Sequence, residues 1–285
     1  SIHRTGGRRM YDTVHLEGGR CDGSAHAGCQ ADCVFFWKEA WLKRADDSPA
    51  PTLLASGAGC TAQRVQAAAK IDDDPANPTW VCQTTVIYEA SDPLEWWDVR
   101  QYLADVTSGN HSLWHMVKLI SRAGYAKLLN IGVGYGILLK FYNSWQKLRG
   151  GAPFPTIEGR IRKGQPTPNE ILDLAPGEWV EVKSGEEIAA TITLAGFNRG
   201  MRYDPEMLKY SGNRYRVQQR VDQLIDEKSG KMVRMKSPCI QLENVYCRAE
   251  FTPDRLGCPR ASNTYWREIW LKRVADSQSD RLEQL

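Results

Sequence analysis

The chain has 285 residues, 42% of them hydrophobic and 25% charged. That composition excludes a wholly disordered, collagen-like or coiled-coil protein, and the length allows two or three domains. A net charge of +3 falls well short of the basicity that marks a dedicated nucleic-acid binder.

The chain opens Ser-Ile-His-Arg and shows no basic-then-apolar leader, which predicts a cytoplasmic protein. Residues 1–45 hold a first cysteine-rich segment, TVHLEGGRCDGSAHAGCQADCVFFWKEAWLKRA from Thr13. Within it Cys21, His26, Cys29 and Cys33 form a C-x4-H-x2-C-x3-C string, with Gly23 and Gly28 to let the loop turn. Four soft donors within thirteen residues suit a closed, tetrahedral and therefore structural zinc site. Two buried thiols, or a disulfide, would account for the same residues.

Residues 46–92 read as an irregular acidic connector, with two basic residues against seven acidic. Cys60 and Cys82 stand isolated in it, open to pairing, to completing a metal site, or to neither. Residues 93–149 read as a helical segment. Asp92-Pro93-Leu94-Glu95 has the signature of a helix start, with Asp as N-cap, Pro at the first position and Glu closing a capping box. A second helix is predicted after Asn110 and a third over roughly residues 126–148. Trp96, Trp97, Trp114 and Trp145 are expected to pack in a core. The run between Lys127 and Lys140 is twelve residues, too short to span a bilayer, which takes about 20. Gly132, Gly134 and Gly136 lack the dinucleotide-loop spacing and fit a helix kink or close packing better. Residues 150–172, rich in Pro and Gly, form a linker.

Residues 173–274 read as a complete module, and 275–285 as a tail. APGEWVEVKS is an alternating strand, SGEEIAA a short capped helix, and DPEMLKY one or two helical turns. RYRVQQRVDQLIDEKSGKMVRM turns at Lys-Ser-Gly-Lys into a hairpin, and CIQLENVYC alternates again. Short strands punctuated by turns predict a small, strongly bent SH3-like barrel.

Residues 239–274 repeat residues 13–45. Leu16-Glu17 falls on Leu242-Glu243, Cys21 on Cys247 and Cys29 on Cys258, and FWKEAWLKR falls on YWREIWLKR. The fold expected is therefore α+β: two related SH3-like modules, the first only partly present, flanking a central helical segment. The pairs Trp37/Trp41 and Trp266/Trp270 should seal each barrel. The first module lacks its opening strand, so either the natural chain extends before Ser1 or another segment completes it, in trans in an oligomer or from the middle of the chain.

The second module offers Cys239, Cys247 and Cys258 as metal ligands, with Ser262 where Cys33 stood. Three ligands fit a degenerate structural site, or an open one that would carry a water. Iron, or an iron–sulfur cluster using these thiols, is the alternative to zinc. His111 and His115 lie four apart on one helix face without the Glu of a metalloprotease motif.

The strings APGEWVEVKSGEEIAAT, DPEMLKYSGNRYRV, HLEGGRCDGSAHAGC and YWREIWLKRV resemble a bacterial family of tandem cysteine-rich modules. The resemblance implies the module boundaries and a bacterial source, and transfers no activity. Three functions follow in order. The first is a non-catalytic binding or scaffold protein with structural metal, taking a protein or peptide partner and serving a biosynthetic pathway. The second is a metalloenzyme using an open Cys/His site. The third is nucleic-acid binding through the basic central helices, a partner the mild charge disfavours.

Overall fold

The computed structural model describes residues 7–44, 61–72, 74, 76–95, 97–130, 134–148, 154, 157–251 and 256–274. The described chain is mixed α and β and divides into two compact units, Ser1–Trp97 with Val221–Lys236, and Asp98–Arg220 with Ser237–Leu285.

The first unit holds β1 (Gly7–Arg9), β2 (Thr13–Val14), β3 (Trp37–Lys38), helix α1 (Ala62–Ala68) and β4 (Asp92–Leu94). β2 pairs with β3 and β1 with β4, both antiparallel. Asp92–Leu94 is thus a strand rather than the start of a helix. Arg8 reaches across to donate to Ser91 Oγ at 2.7 Å and the Tyr88 carbonyl at 2.8 Å, which fastens the two strands. Pro93, with no N–H to give, is tolerated in so short a two-stranded ladder. Ala69, Trp80 and Ile225 form a small core, with Cys29 and Met232 packed on it. The loop before β3 is anchored on this core: Gln30 Oε1 accepts from the Asp222 and Gln223 amides at 2.7 and 3.0 Å.

The second unit begins with α2 (Arg100–Thr107), α3 (Leu113–Asn130) and α4 (Tyr135–Leu148). Gly134, at φ +70°, precedes α4 and marks the break between the two longer helices. The Tyr125 hydroxyl donates to the Leu138 carbonyl, and Tyr125, Tyr142 and Phe154 stack between α3 and α4. Then follow β5 (Trp179–Val182), the five-residue α5 (Gly185–Ala189), β6 (Phe197–Asn198), β7 (Met201–Arg202), β8 (Arg214–Ile225) and β9 (Met232–Leu242), of which residues 221–225 and 232–236 belong to the first unit, and β10 (Leu271–Arg273). Four strands form one curled, half-barrel sheet in the order β10-β5-β8-β9. Alternation explains β5: Val180 and Val182 are buried while Trp179 and Glu181 are not. α5 starts on a complete Ser184/Glu187 capping box, as its sequence requires. The core gathers Val180, Val182, Ile188, Tyr203, Trp266 and Trp270.

The expected tryptophan core does not form on the helices. Trp97, Trp114 and Trp145 are exposed, and Trp96 lies outside the described residues. α3 instead buries Met116 and Leu119 against Leu256, using smaller side chains on one stripe.

Candidate functional site

The sequence repeat is a structural repeat, hydrogen bond by hydrogen bond. The Cys21 amide donates to the Cys33 carbonyl at 2.8 Å, and the Cys247 amide to the Ser262 carbonyl at 2.9 Å. Arg20 bridges Val34 as Tyr246 bridges Asn263, and Val14 opposes Trp37 as Ile240 opposes Trp266. The turn inside each loop closes the same way, Gly28 N to Gly23 O at 3.0 Å and Gly257 N to Ala249 O at 3.1 Å. Left-handed residues recur in register, Gly23 with Ala249 and Asp32 with Ala261. Each copy ends in a 3₁₀ turn, Glu39–Trp41 and Glu268–Trp270, between extended residues.

This scaffold holds the cysteines in equivalent places. Burial pushes the Cys21 thiol up, helped by Cys29, Asp22 and Cys82, which lie close enough to act on it. Cys29 Sγ accepts from the Ile225 amide at 3.4 Å. The His26 ring sits edge-on to Trp80, with Nε2 3.3 Å from the Val81 carbonyl. In the second copy, burial pushes the Cys247 thiol up to about 12, with the Glu206 carboxylate and, further down, Cys258 adding to it. Cys239 is fully buried on β9 and acts on Arg267. Cys82 joins Cys21 and Cys29, a grouping no sequence spacing indicates; Cys60 lies outside the described residues. Among the described residues, no three His, Cys, Asp or Glu side chains are arranged to hold a metal ion.

His111 and His115 do stack, at 4.9 Å between rings, but His111 Nε2 is 2.8 Å from the Gly257 carbonyl. Burial, then the His111 charge, lowers the His115 pKa. His111 precedes α3, so the two rings do not share a helix face as their spacing suggests, and it is His111 alone that meets the second cysteine loop, at the Gly257 carbonyl.

The two copies differ most at their closing turns. Trp270 is fully buried and its indole donates to Thr191 Oγ1 at 3.1 Å, while Trp41 is 65% exposed. Glu268 is buried and accepts from the amides of Leu172, Asp173 and Leu174 at 2.7, 3.3 and 3.2 Å, with Arg220 at 2.7 Å. Its equivalent, Glu39, is exposed. Phe35, Trp37, Trp41 and Gln83 line a shallow cleft of about 130 Å³. Gln83 is fixed there by hydrogen bonds to both backbone groups of Phe36 at 2.8 Å. Of the two tryptophan pairs expected to seal a barrel, Trp266 and Trp270 are buried in the core of the curled sheet's unit, whereas Trp41 is exposed. The second copy covers its turn with residues 172–174 and 191–203, and the first leaves an aromatic cleft. The near-identity of FWKEAWLKR and YWREIWLKR hid this, since burial depends on segments far away in sequence.

Comparison with known proteins gives no matching family model and no similar curated protein.

Proposed function

We propose that this is a non-catalytic binding scaffold whose first repeat receives a peptide segment at the Phe35/Trp37/Trp41 cleft. The observation that carries the reading is the contrast between Glu268 and Glu39. In the second repeat, a loop of the same chain, residues 172–174, turns through Asp173 at φ +50° and lays three successive amides on Glu268 beside the buried Trp270. In the first repeat the equivalent carboxylate and indole, Glu39 and Trp41, are both exposed on the same turn geometry. A peptide entering there would bury an aromatic side chain and satisfy its amides on a carboxylate, the two terms that favour such sites. The strongly buried carboxylates are occupied in structural work: Glu206 accepts from the Arg248 and Glu250 amides and pairs with Lys209. Zinc on the Cys21/His26/Cys29/Cys33 loop belongs to the same proposal as a stiffener of the cleft's scaffold. It requires the donors to close further.

The test uses a synthetic peptide of residues 168–176, PNEILDLAP, added in trans to the full chain. Saturable binding, seen by calorimetry and weakened by Trp41→Ala and Glu39→Gln, is the expected result. Equal binding to wild type and both variants, or none at millimolar peptide, overturns the cleft as the site.

A further inference from the structure

The face that α3 and α4 turn to solvent is apolar, inverting the usual arrangement of a surface helix. On α3, Leu113, Val117, Ile120 and Leu128 follow at steps of four, three and eight, share one side of the helix and are all exposed, while Met116, Leu119 and Leu129 are buried. On α4, Ile137, Phe141, Trp145 and Leu148 do the same, with Ile137 77% and Leu148 84% exposed. Stripes of exposed apolar side chains of this kind mark an interaction site.

Charge identifies the occupant. No acidic residue lies between Asp105 and Glu158, whereas Lys118, Lys127, Lys140 and Lys147 are all on the helices and exposed. Lys140 and Lys147 fall seven residues apart on one flank of the α4 stripe, and Lys118 lies 5.8 Å over the Trp114 ring. A second copy of this face would oppose lysine to lysine with no carboxylate to relieve the repulsion. A nucleic acid would leave six large aliphatic side chains against phosphate. An anionic lipid surface satisfies both features: acyl chains take Leu, Ile, Val and Phe, headgroups take the lysines, and Trp sits at the boundary. No helix among the described residues is long and apolar enough to cross a membrane, so the helices would lie in the interface.

We infer that α3 and α4 form a docking face for the surface of an anionic phospholipid bilayer. Lysine stems can run along the apolar stripe while their ammonium groups reach the headgroups. The inference is independent of the peptide cleft, whose residues lie in the first unit.

The experiment is flotation of the full chain with vesicles of pure phosphatidylcholine and of phosphatidylcholine with 30% phosphatidylglycerol, a composition chosen as roughly that of an anionic bacterial leaflet. The chain is expected to float with the anionic vesicles, to float less in high salt, and to be left behind by the neutral ones. Phe141→Ser and Ile137→Ser, both at exposed positions, should each weaken partition by about tenfold without moving the thermal midpoint. Three outcomes overturn the inference: no flotation with anionic vesicles; flotation that Lys140→Glu abolishes but the two serine variants leave unchanged, which would reduce the face to a charge patch; and a dimer in solution that Phe141→Ser dissolves, which would give the face to a second copy.

Discussion

The indole N–H of Trp266 donates to Thr264 Oγ1 at 2.9 Å, two residues upstream. In the first repeat the equivalent step places Phe35 beside Trp37, and the Trp37 indole nitrogen is buried with no acceptor among the described residues. A buried donor without an acceptor costs about 1–3 kcal/mol. Thr264→Val should therefore reduce stability by about 1–2 kcal/mol, read as a lower denaturation midpoint at unchanged slope. Phe35→Thr should act in the opposite direction. A Thr264→Val midpoint equal to wild type would mean that the indole finds another acceptor.

Glu268 makes a larger prediction. Its carboxylate holds the Leu172–Leu174 backbone and Arg220 together at one buried point. Its removal strands three backbone donors, about 1–3 kcal/mol for each one left buried without an acceptor, while Arg220 keeps Asp173 Oδ1 at 3.6 Å. Glu268→Ala should unfold the second unit at markedly lower temperature, and Glu268→Gln should recover part of the loss through its remaining acceptor oxygen. Amide exchange at Leu172 and Leu174 would report the local release. Exchange rates there that match wild type would show that the segment is held by its packing alone.

Which features the sequence discloses follows from their range. The capped α5, the hairpin turn before Lys231 and the alternation in β5 are local, so Ser184/Glu187, Ser229-Gly230 and Val180/Val182 disclose them directly. The repeat is legible because it is encoded twice. Asp92-Pro93-Leu94-Glu95 misleads, because a capping pattern competes with the tertiary grip of Arg8 on Ser91 and Tyr88, some eighty residues away in sequence. The helix tryptophans mislead for a related reason: helical spacing defines a stripe, but only the partner element decides which stripe is covered. Cys82 approaches Cys21 from a segment with no periodic signal, and nothing short of the fold brings them together.

The cysteine loop should be intolerant of side chains at Gly23. Its φ is +73°, and a Cβ there would come within 1.9 Å of the Cys29 carbonyl oxygen. Gly23→Ala must open the turn that places Cys21 beside Cys29. Thiol labelling of the native protein should then become faster at both residues, while Gly19→Ala, whose Cβ would meet only the Leu16 carbonyl oxygen at 3.6 Å, should leave the rates unchanged. Equal labelling of Cys21 and Cys29 in wild type and Gly23→Ala would show that the backbone shifts without opening the loop.

Acid should loosen the second unit through Glu250. Burial works against its charge, but Lys209 at 3.3 Å and Arg122 at 2.8 Å hold its pKa below the ordinary 4.5. A carboxyl lowered on folding contributes stability above its unfolded value and loses it as pH falls through the folded one. The loss from this group therefore begins near pH 4.5 and continues below it. Glu250→Gln should be less stable than wild type at pH 7, and the two should converge as pH falls. Curves that stay parallel from pH 7 down to pH 3 would remove Glu250 from the acid transition.

Metal content decides what the cysteines are for. Elemental analysis of the purified full chain should find about one zinc per chain, bound by the Cys21/His26/Cys29/Cys33 loop with Cys82 at hand, since thiolate and imidazole donors together select zinc. A thiol count under denaturing conditions should find most cysteines reduced. Chelation should lower the melting temperature and speed labelling of Cys21 and Cys29, because a metal bound only by the folded chain stabilises it by mass action. Cys21→Ser should lose the zinc, whereas Cys239→Ser, deep in β9, should retain it. Iron in place of zinc, or two metals per chain with water-exchangeable character, would move the protein toward redox or hydrolytic chemistry. No metal and few free thiols would make the paired cysteines disulfides, and the repeated loops would then be covalent staples.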